Sequence, residues 1–199
     1  IDDTLRSMTG CGRAIGDSTS SELHTLVLAG TMERIPVLAD VLDMVNGQAG
    51  LLIEIKMHPG IGSVEGPLAG MLDRYPGEFA VVSFDPRILH WFLQNRPGYI
   101  RGQISGGLRG KKFSVFWRFL MQSLLVCLVS RPDFIAYEYP YITAWVRFFT
   151  SALRIPLIAW TIRDAGTAAE ARRVAQNIIF EGFFPKDDES GVIRHERAV

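Results

Sequence analysis

Cysteine is nearly absent from this chain of 199 residues, which carries only Cys11 and Cys127. Two thiols with neither metal-ligand spacing nor the density of a disulfide scaffold exclude a cysteine zinc site and read as reduced thiols of a cytoplasmic protein. Excess charge of either sign is also missing, with 21 Lys+Arg against 21 Asp+Glu, so the chain has no electrostatic footprint for nucleic acid. It opens on Ile1 rather than methionine, and Asp2-Asp3-Thr4-Leu5 is polar and turn-like, not the charged region and apolar stretch of a signal peptide. Such a start is expected of a chain that has been processed or that further residues precede. Long apolar runs are lacking too. The most hydrophobic stretch, Phe113 to Val129, holds Arg118 and Gln122 near its middle and sits at the short limit for spanning a bilayer.

What the chain does have is apolar content, 48% by residue, enough to bury a core. Gly10, Gly12 and Gly16 mark a loop near the start. Ser18 to Glu22 then offers capping hydroxyls with an early acid, and Ile35 to Val45 repeats apolar residues at Leu38, Val41, Leu42 and Val45. Both segments predict helices. Beyond them, short apolar runs predict strands at Leu51–Lys56, Phe79–Phe84, Tyr99–Ile104, Phe134–Tyr139, Pro156–Ile162 and Asn177–Phe183. Gly66–Tyr75, Pro86–Asn95, Tyr141–Leu153 and Ala165–Ala175 have helical composition between them. Alternation of this kind describes repeated β/α units on a parallel sheet, and both a doubly wound sheet and a (β/α)8 barrel fit. A whole barrel takes about 250 residues and eight strands, so the barrel reading asks for two strands ahead of Ile1.

Leu51-Leu52-Ile53-Glu54-Ile55-Lys56 sets one carboxylate and one ammonium two residues apart in an apolar strand. Side chains alternate along a strand, so Glu54 and Lys56 share a face. Burying them there is costly unless something charged meets them: either each other, or a divalent metal on Glu54 and an anion on Lys56. In Phe113–Val129, Ser114, Arg118 and Gln122 recur at helical spacing and leave a wide apolar arc. That arc suits packing on the domain or an oligomer contact, or else a peripheral membrane contact with Arg109, Lys111 and Lys112 on anionic headgroups. The basic loop of Arg101, Arg109, Lys111 and Lys112 reads as a solvated loop or as an extra anion contact.

Several segments together resemble the glycerophosphodiester phosphodiesterase family: Asp2-Asp3-Thr4-Leu5 with Met8-Thr9-Gly10, Arg34 to Leu42, Leu52 to Lys56, Val82-Ser83-Phe84-Asp85-Pro86 and Pro156 to Thr161, in family order. The resemblance implies an α/β fold, a (β/α)8 TIM barrel here incomplete at about six β/α units. It would form a single partial-barrel domain over 1–185, with a charged, mobile tail over 186–199. It also implies metal-dependent hydrolysis of glycerophosphodiesters to an alcohol and glycerol 3-phosphate, with a divalent metal ion (Mg or Ca). By motif, Glu54 is a metal ligand, Lys56 contacts the phosphate and Trp160 lines the substrate pocket, with Ser83 and Phe84 at a neighbouring strand end. The expected partner is a glycerophosphodiester small molecule and no nucleic acid, and the expected location is cytoplasmic or peripheral to a membrane.

The departures are as informative. The family's first strand ends in His-Arg, its second carries Glu-x-Asp, and a His precedes Asp-Asp-Thr-Leu; here Ile1 stands at the last of these positions and the rest has no counterpart in the sequence. The family's acid/base histidines are therefore absent, no catalytic residue is assigned, and the chain is expected to be inactive alone. The alternative is a non-catalytic barrel remnant that binds a phosphate-bearing ligand or a partner. His58, just past Lys56, is the histidine nearest the expected site, whereas His24 and His90 fall on helical segments and His195 in the tail. Glu181 lies near an acid that the family carries at its last strand end. Six strands of a barrel leave two unpaired edges, so low stability is expected.

Overall fold

The computed structural model describes residues 5–108 and 113–185, which fall into two compact units. Arg109, Lys111, Lys112 and the 186–199 tail lie outside the described residues.

The smaller unit takes residues 1–50 and 70–78. Its helices are α1 (Arg6–Thr9), α2 (Ser20–Thr25) and α3 (Leu38–Val45). Helix α2 starts where its sequence says it should: the Thr19 hydroxyl accepts from the Glu22 N–H while the Glu22 carboxylate accepts from the Thr19 N–H, 2.8 Å, a reciprocal cap. Those bonds, with the Arg13 guanidinium at 2.9 Å, hold the Glu22 carboxyl at about 2. Helix α3 begins two residues after Pro36 and stops at Asn46, whose left-handed φ of 40° terminates it.

Of the described residues the larger unit holds 51–69, 79–108 and 113–185, and is a six-stranded parallel sheet with strands in sequential order. Its strands are β1 (Leu51–Glu54), β2 (Phe79–Ser83), β3 (Ile100–Ser105), β4 (Phe134–Glu138), β5 (Leu157–Ile162) and β6 (Asn177–Phe180). Between them run α4 (Glu65–Leu72), which begins in this unit, α5 (Pro86–Asn95), α6 (Val115–Gln122), α7 (Cys127–Ser130), α8 (Ala144–Leu153) and α9 (Ala165–Ala171). Each sequence-predicted strand is present with its end shifted by a few residues. Sequential parallel order with helical crossovers is barrel topology rather than a doubly wound sheet, which would reverse its order. It is an incomplete barrel.

Alternation sorts the side chains. Ile135, Tyr137, Leu157, Ala159 and Ile178 pack outward with Met121, Val146, Ala168 and Ala171 of the helices, while Val82, Ile104, Phe134 and Ala136 pack on the concave face. Gly102 is glycine because a Cβ there would collide with the Phe134 ring and with Val82. At the sheet's edge the concave face is open: Leu52 of β1 is 47% exposed.

Two expectations are corrected. Phe113–Val129 is not one helix, because its middle is capped by side chains from three directions. Ser105 Oγ donates to the Met121 carbonyl at 2.7 Å, Tyr137 Oη to Gln122 at 3.1 Å and Trp145 Nε1 to Ser123 at 3.0 Å. These bonds satisfy the terminal carbonyls that a continuing helix would use. Leu124 then turns through a left-handed φ of 64° before α7. No helix among the described residues is long and apolar enough to cross a membrane. Arg101, in turn, belongs to no loop: it lies within β3, 5% exposed, with Nη1 donating to the Pro97 and Tyr99 carbonyls and Nη2 3.1 Å from Asp133.

Burial raises the Tyr137 phenol and the Cys127 thiol each to about 12, from ordinary values of 10.0 and 9.0. A folded-state value above the unfolded one means stability that is full below the ordinary value and lost as pH climbs towards 12. Thermal melts from pH 8 to 12 should therefore fall steeply above pH ~9–10. Tyr137→Phe should lower stability by about 1 kcal/mol at pH 8 through the lost hydrogen bond and flatten part of that fall.

Candidate functional site

Residues at the C-terminal ends of the strands share the concave face by register. Glu54 pairs with Val82, Val82 with Gly102, and Glu138 with Trp160. Lys56 and Phe84 follow two residues beyond the last paired positions of β1 and β2 on that face. This is the end at which barrel loops gather chemistry.

The Lys56 Nζ lies 2.5 Å from Glu54 Oε1, with the two side chains 46% and 27% exposed. The approach is close but not aligned as a hydrogen bond, and Glu54 Oε1 is shielded from solvent with no hydrogen-bond partner. The two charges of the opening strand motif therefore meet each other. Trp160 packs edge-on against Phe84 with ring centroids 5.9 Å apart, and its Nε1–H is likewise buried without an acceptor. Leaving a buried donor unmet costs about 1–3 kcal/mol, which an oxygen-bearing ligand would recover.

Ser83 faces the other way. Its side chain is fully buried, with Oγ donating to the Ile55 carbonyl at 2.7 Å and accepting from the Asp85 N–H at 3.1 Å. Asp85 caps α5 through the Arg87 N–H, so Ser83 ties the ends of β1 and β2 to the helix start. His58 is also held: Nδ1 is 2.9 Å from the Pro59 carbonyl and Nε2 3.1 Å from Glu65 Oε1. A carbonyl can only accept, so Nδ1–H is the donor to Pro59. Glu65 is wholly buried and accepts from the Gly62 N–H at 2.6 Å, so the pair fastens the loop after β1 to the start of α4. Glu181 pairs with Arg163 at 2.6 Å, both exposed.

Glu138 is a carboxylate that sequence reasoning passed over. It ends β4 beside Trp160, and its Oε2 accepts from the Gly107 N–H at 2.9 Å. Gly106 makes room for it, since a Cβ there would collide with the Glu138 side chain. The signal that singles out Glu54, an acid ending an apolar strand run, is present in Phe134-Ile135-Ala136-Tyr137-Glu138 as well.

Glu54 by itself does not make a metal centre. Among the described residues no group of three or more His, Cys, Asp or Glu side chains could hold an ion, and Glu138 is engaged by backbone. The residues present do not fit a self-sufficient divalent site.

No protein-family model and no curated protein sequence matches the chain. Solved structures do. A glycerophosphodiester phosphodiesterase from Parabacteroides distasonis aligns at 18% identity with a TM-score of 0.68, over 90% of this chain and 71% of that one. One from Thermotoga maritima aligns at 20% identity and a TM-score of 0.64, over 90% and 73%. A phosphodiesterase from Oleispira antarctica, in complex with the product sn-glycerol-3-phosphate, aligns at 17% and 0.68, over 90% and 73%. At these identities the likeness establishes the fold. The chain has the barrel of glycerophosphodiester phosphodiesterases, in part.

Gly106→Ala should push Glu138 off the Gly107 amide and cost about 1–3 kcal/mol, as overpacking at a tight contact does. Urea unfolding measures it; an unchanged midpoint would show that Glu138 moves freely.

Proposed function

We propose that the concave mouth binds a glycerophosphodiester and belongs to an apparatus that hydrolyses such diesters to an alcohol and glycerol 3-phosphate. The observation that carries this is the buried Trp160 Nε1–H left without an acceptor on the concave face, with the Glu54–Lys56 ion pair at the strand ends of the same face. A native chain seldom leaves such groups unmet unless a ligand or ion meets them. Lys56 swings from Glu54 to a phosphoryl oxygen as a point charge. The Phe84–Trp160 pair packs the carbon skeleton, with Nε1–H free to donate to an ester or hydroxyl oxygen. Ser83 and His58 shape the wall of the pocket through the bonds they already make. Glu54 is the single carboxylate that the motif offers to a divalent cation such as Mg or Ca. Residues carrying the family's His-Arg, Glu-x-Asp and His-Asp motifs would have to supply the remaining ligands and the proton carriers. This chain alone binds and does not turn over.

A second reading, a binding barrel without catalysis, is favoured by the Glu54–Lys56 ion pair itself, since a lysine that neutralises its neighbour needs no metal. The solvent-facing apolar side of α6, with Val115 88%, Phe116 70% and Phe119 58% exposed, would suit attachment of either form to a lipid surface.

Calorimetric titration with glycerol 3-phosphate tests the mouth. An ion pair exposed to this degree contributes less than about 1 kcal/mol, so Lys56→Ala should hardly change the melting temperature. It should weaken binding roughly 10–100-fold, the worth of about 1.5–3 kcal/mol for a charged hydrogen bond. Trp160→Phe should weaken it less. Equal affinity in wild type and Lys56→Ala, or no binding by wild type, overturns the reading. Chelator-sensitive release of glycerol 3-phosphate from glycerophosphocholine, once the missing motifs are joined ahead of Ile1, separates the enzyme from the remnant.

A further inference from the structure

At the opposite end of the larger unit, where β5 and β6 begin, lies a cleft of about 460 Å³ lined by Arg147, Thr150, Arg154, Ile155, Arg173 and Gln176, among others. Three arginines from two segments line it: Arg147 and Arg154 from α8 and its C-cap, and Arg173 from the turn after α9. None of the three is in an ion pair among the described residues, and no carboxylate lines the cleft. Glu170, one turn before Arg173, is occupied by the Tyr139 hydroxyl at 3.1 Å. The Thr150 hydroxyl donates into its own helix, to the Val146 and Arg147 carbonyls, and the Gln176 side-chain oxygen accepts from the Leu157 N–H.

Arg154 and Arg173, taken alone, suit the C-terminal ends of their helices, where the backbone carbonyls favour a cation, but Arg147 stands at the N-terminal end of α8, where they do not. That accounts for one charge on each helix; it does not account for a third arginine lining the same concavity, where like charges repel. Nor does it account for Arg154, which holds a left-handed φ of 55° at a C-cap position that glycine or asparagine would fill without strain. Guanidinium groups grip phosphate oxygens in two-pronged pairs, and three of them around a concavity of this size match a group carrying two or more negative charges.

We propose that this cleft is a second anion site, distinct from the mouth, that takes a phosphate-bearing ligand: a soluble phosphate ester or diphosphate, or the phosphate headgroup of a lipid. Arg147 and Arg173 grip oxygens of the ligand, and Arg154 adds a third donor.

The full chain is titrated with inorganic pyrophosphate by calorimetry, and sedimented with vesicles of phosphatidylcholine alone or with phosphatidic acid. Pyrophosphate binding that weakens at least tenfold in the Arg147→Gln/Arg173→Gln double variant, and is retained in Lys56→Gln, supports the site and a soluble ligand. Sedimentation with phosphatidic acid vesicles only, lost in the same double variant, supports the site and a lipid headgroup. Should the double variant fail to fold, the exposed Arg173→Gln alone must weaken binding at least threefold. Equal affinity in the variants, loss of pyrophosphate binding in Lys56→Gln, or no binding of either probe by wild type overturns the proposal. The glycerol 3-phosphate titration of the mouth stands or falls separately, because its reporter is Lys56 and not the arginines.

Discussion

Parallel pairing of six strands in sequential order, each one neighbour to the next, decides where every other group in the larger unit can go. Because partners across a parallel ladder present their side chains to the same face, one register fixes two surfaces at once. The outward rows take Ile135, Tyr137, Leu157 and Ala159 against the helices, and the concave rows take Val82, Ile104 and Ala136 in their middle. Polar groups survive on the concave face only at its ends, where Glu54, Glu138 and Trp160 stand. The edges of this sheet, β1 and β6, are each four residues long. Short edges present few unpaired backbone groups, which limits the edge-to-edge association that an open barrel sheet would otherwise invite.

The Glu54–Lys56 pair is the point at which stability and function pull apart. Two charges in an apolar strand could be a ligand site or a closed pair, and the structure puts them in contact. Contact alone does not make the pair structural, however. With Lys56 nearly half exposed, the attraction is screened and contributes little, and the carboxylate atom nearest the ammonium is the one shut off from water without an aligned hydrogen bond. This pair is partly exposed and at the strand ends, where the ammonium is open to a competing anion.

Strands and helices were largely legible because their periodicities differ and because caps are local: Thr19 with Glu22, and Asp85 before Pro86, can be read from neighbours in sequence. What escaped depended on partners far along the chain. Nothing within Phe113 to Val129 announces a break at Ser123, because the groups that end α6 come from Ser105, Tyr137 and Trp145. Arg101 looked like a member of a basic loop, yet its fate was set by Asp133, a strand away. The concave-face positions of Trp160 and Phe84 follow from register, whereas Ser83 lies one residue off that register and so faces the helices. Glu138 was within reach of the rule applied to Glu54, since it too ends an apolar strand run.

The two ends of the strands also carry opposite polar chemistry. At the C-terminal ends the lysine already pairs with Glu54, and a second carboxylate, Glu138, holds the Gly107 amide, so an anion that enters at Lys56 must displace or share an existing partner. At the start of β5 and β6 three arginines face one cleft with no acid among its lining residues, so an anion that enters displaces only water. The difference is one of selectivity. A mouth with internal competition admits only ligands that repay the broken contacts with further ones, such as an acceptor for Trp160 and a carbon skeleton against Phe84. An uncompeted arginine cleft answers to charge first and shape second. Strong dependence on ionic strength at the arginine end follows, since exposed charges are screened over about 10 Å at 0.1 M salt.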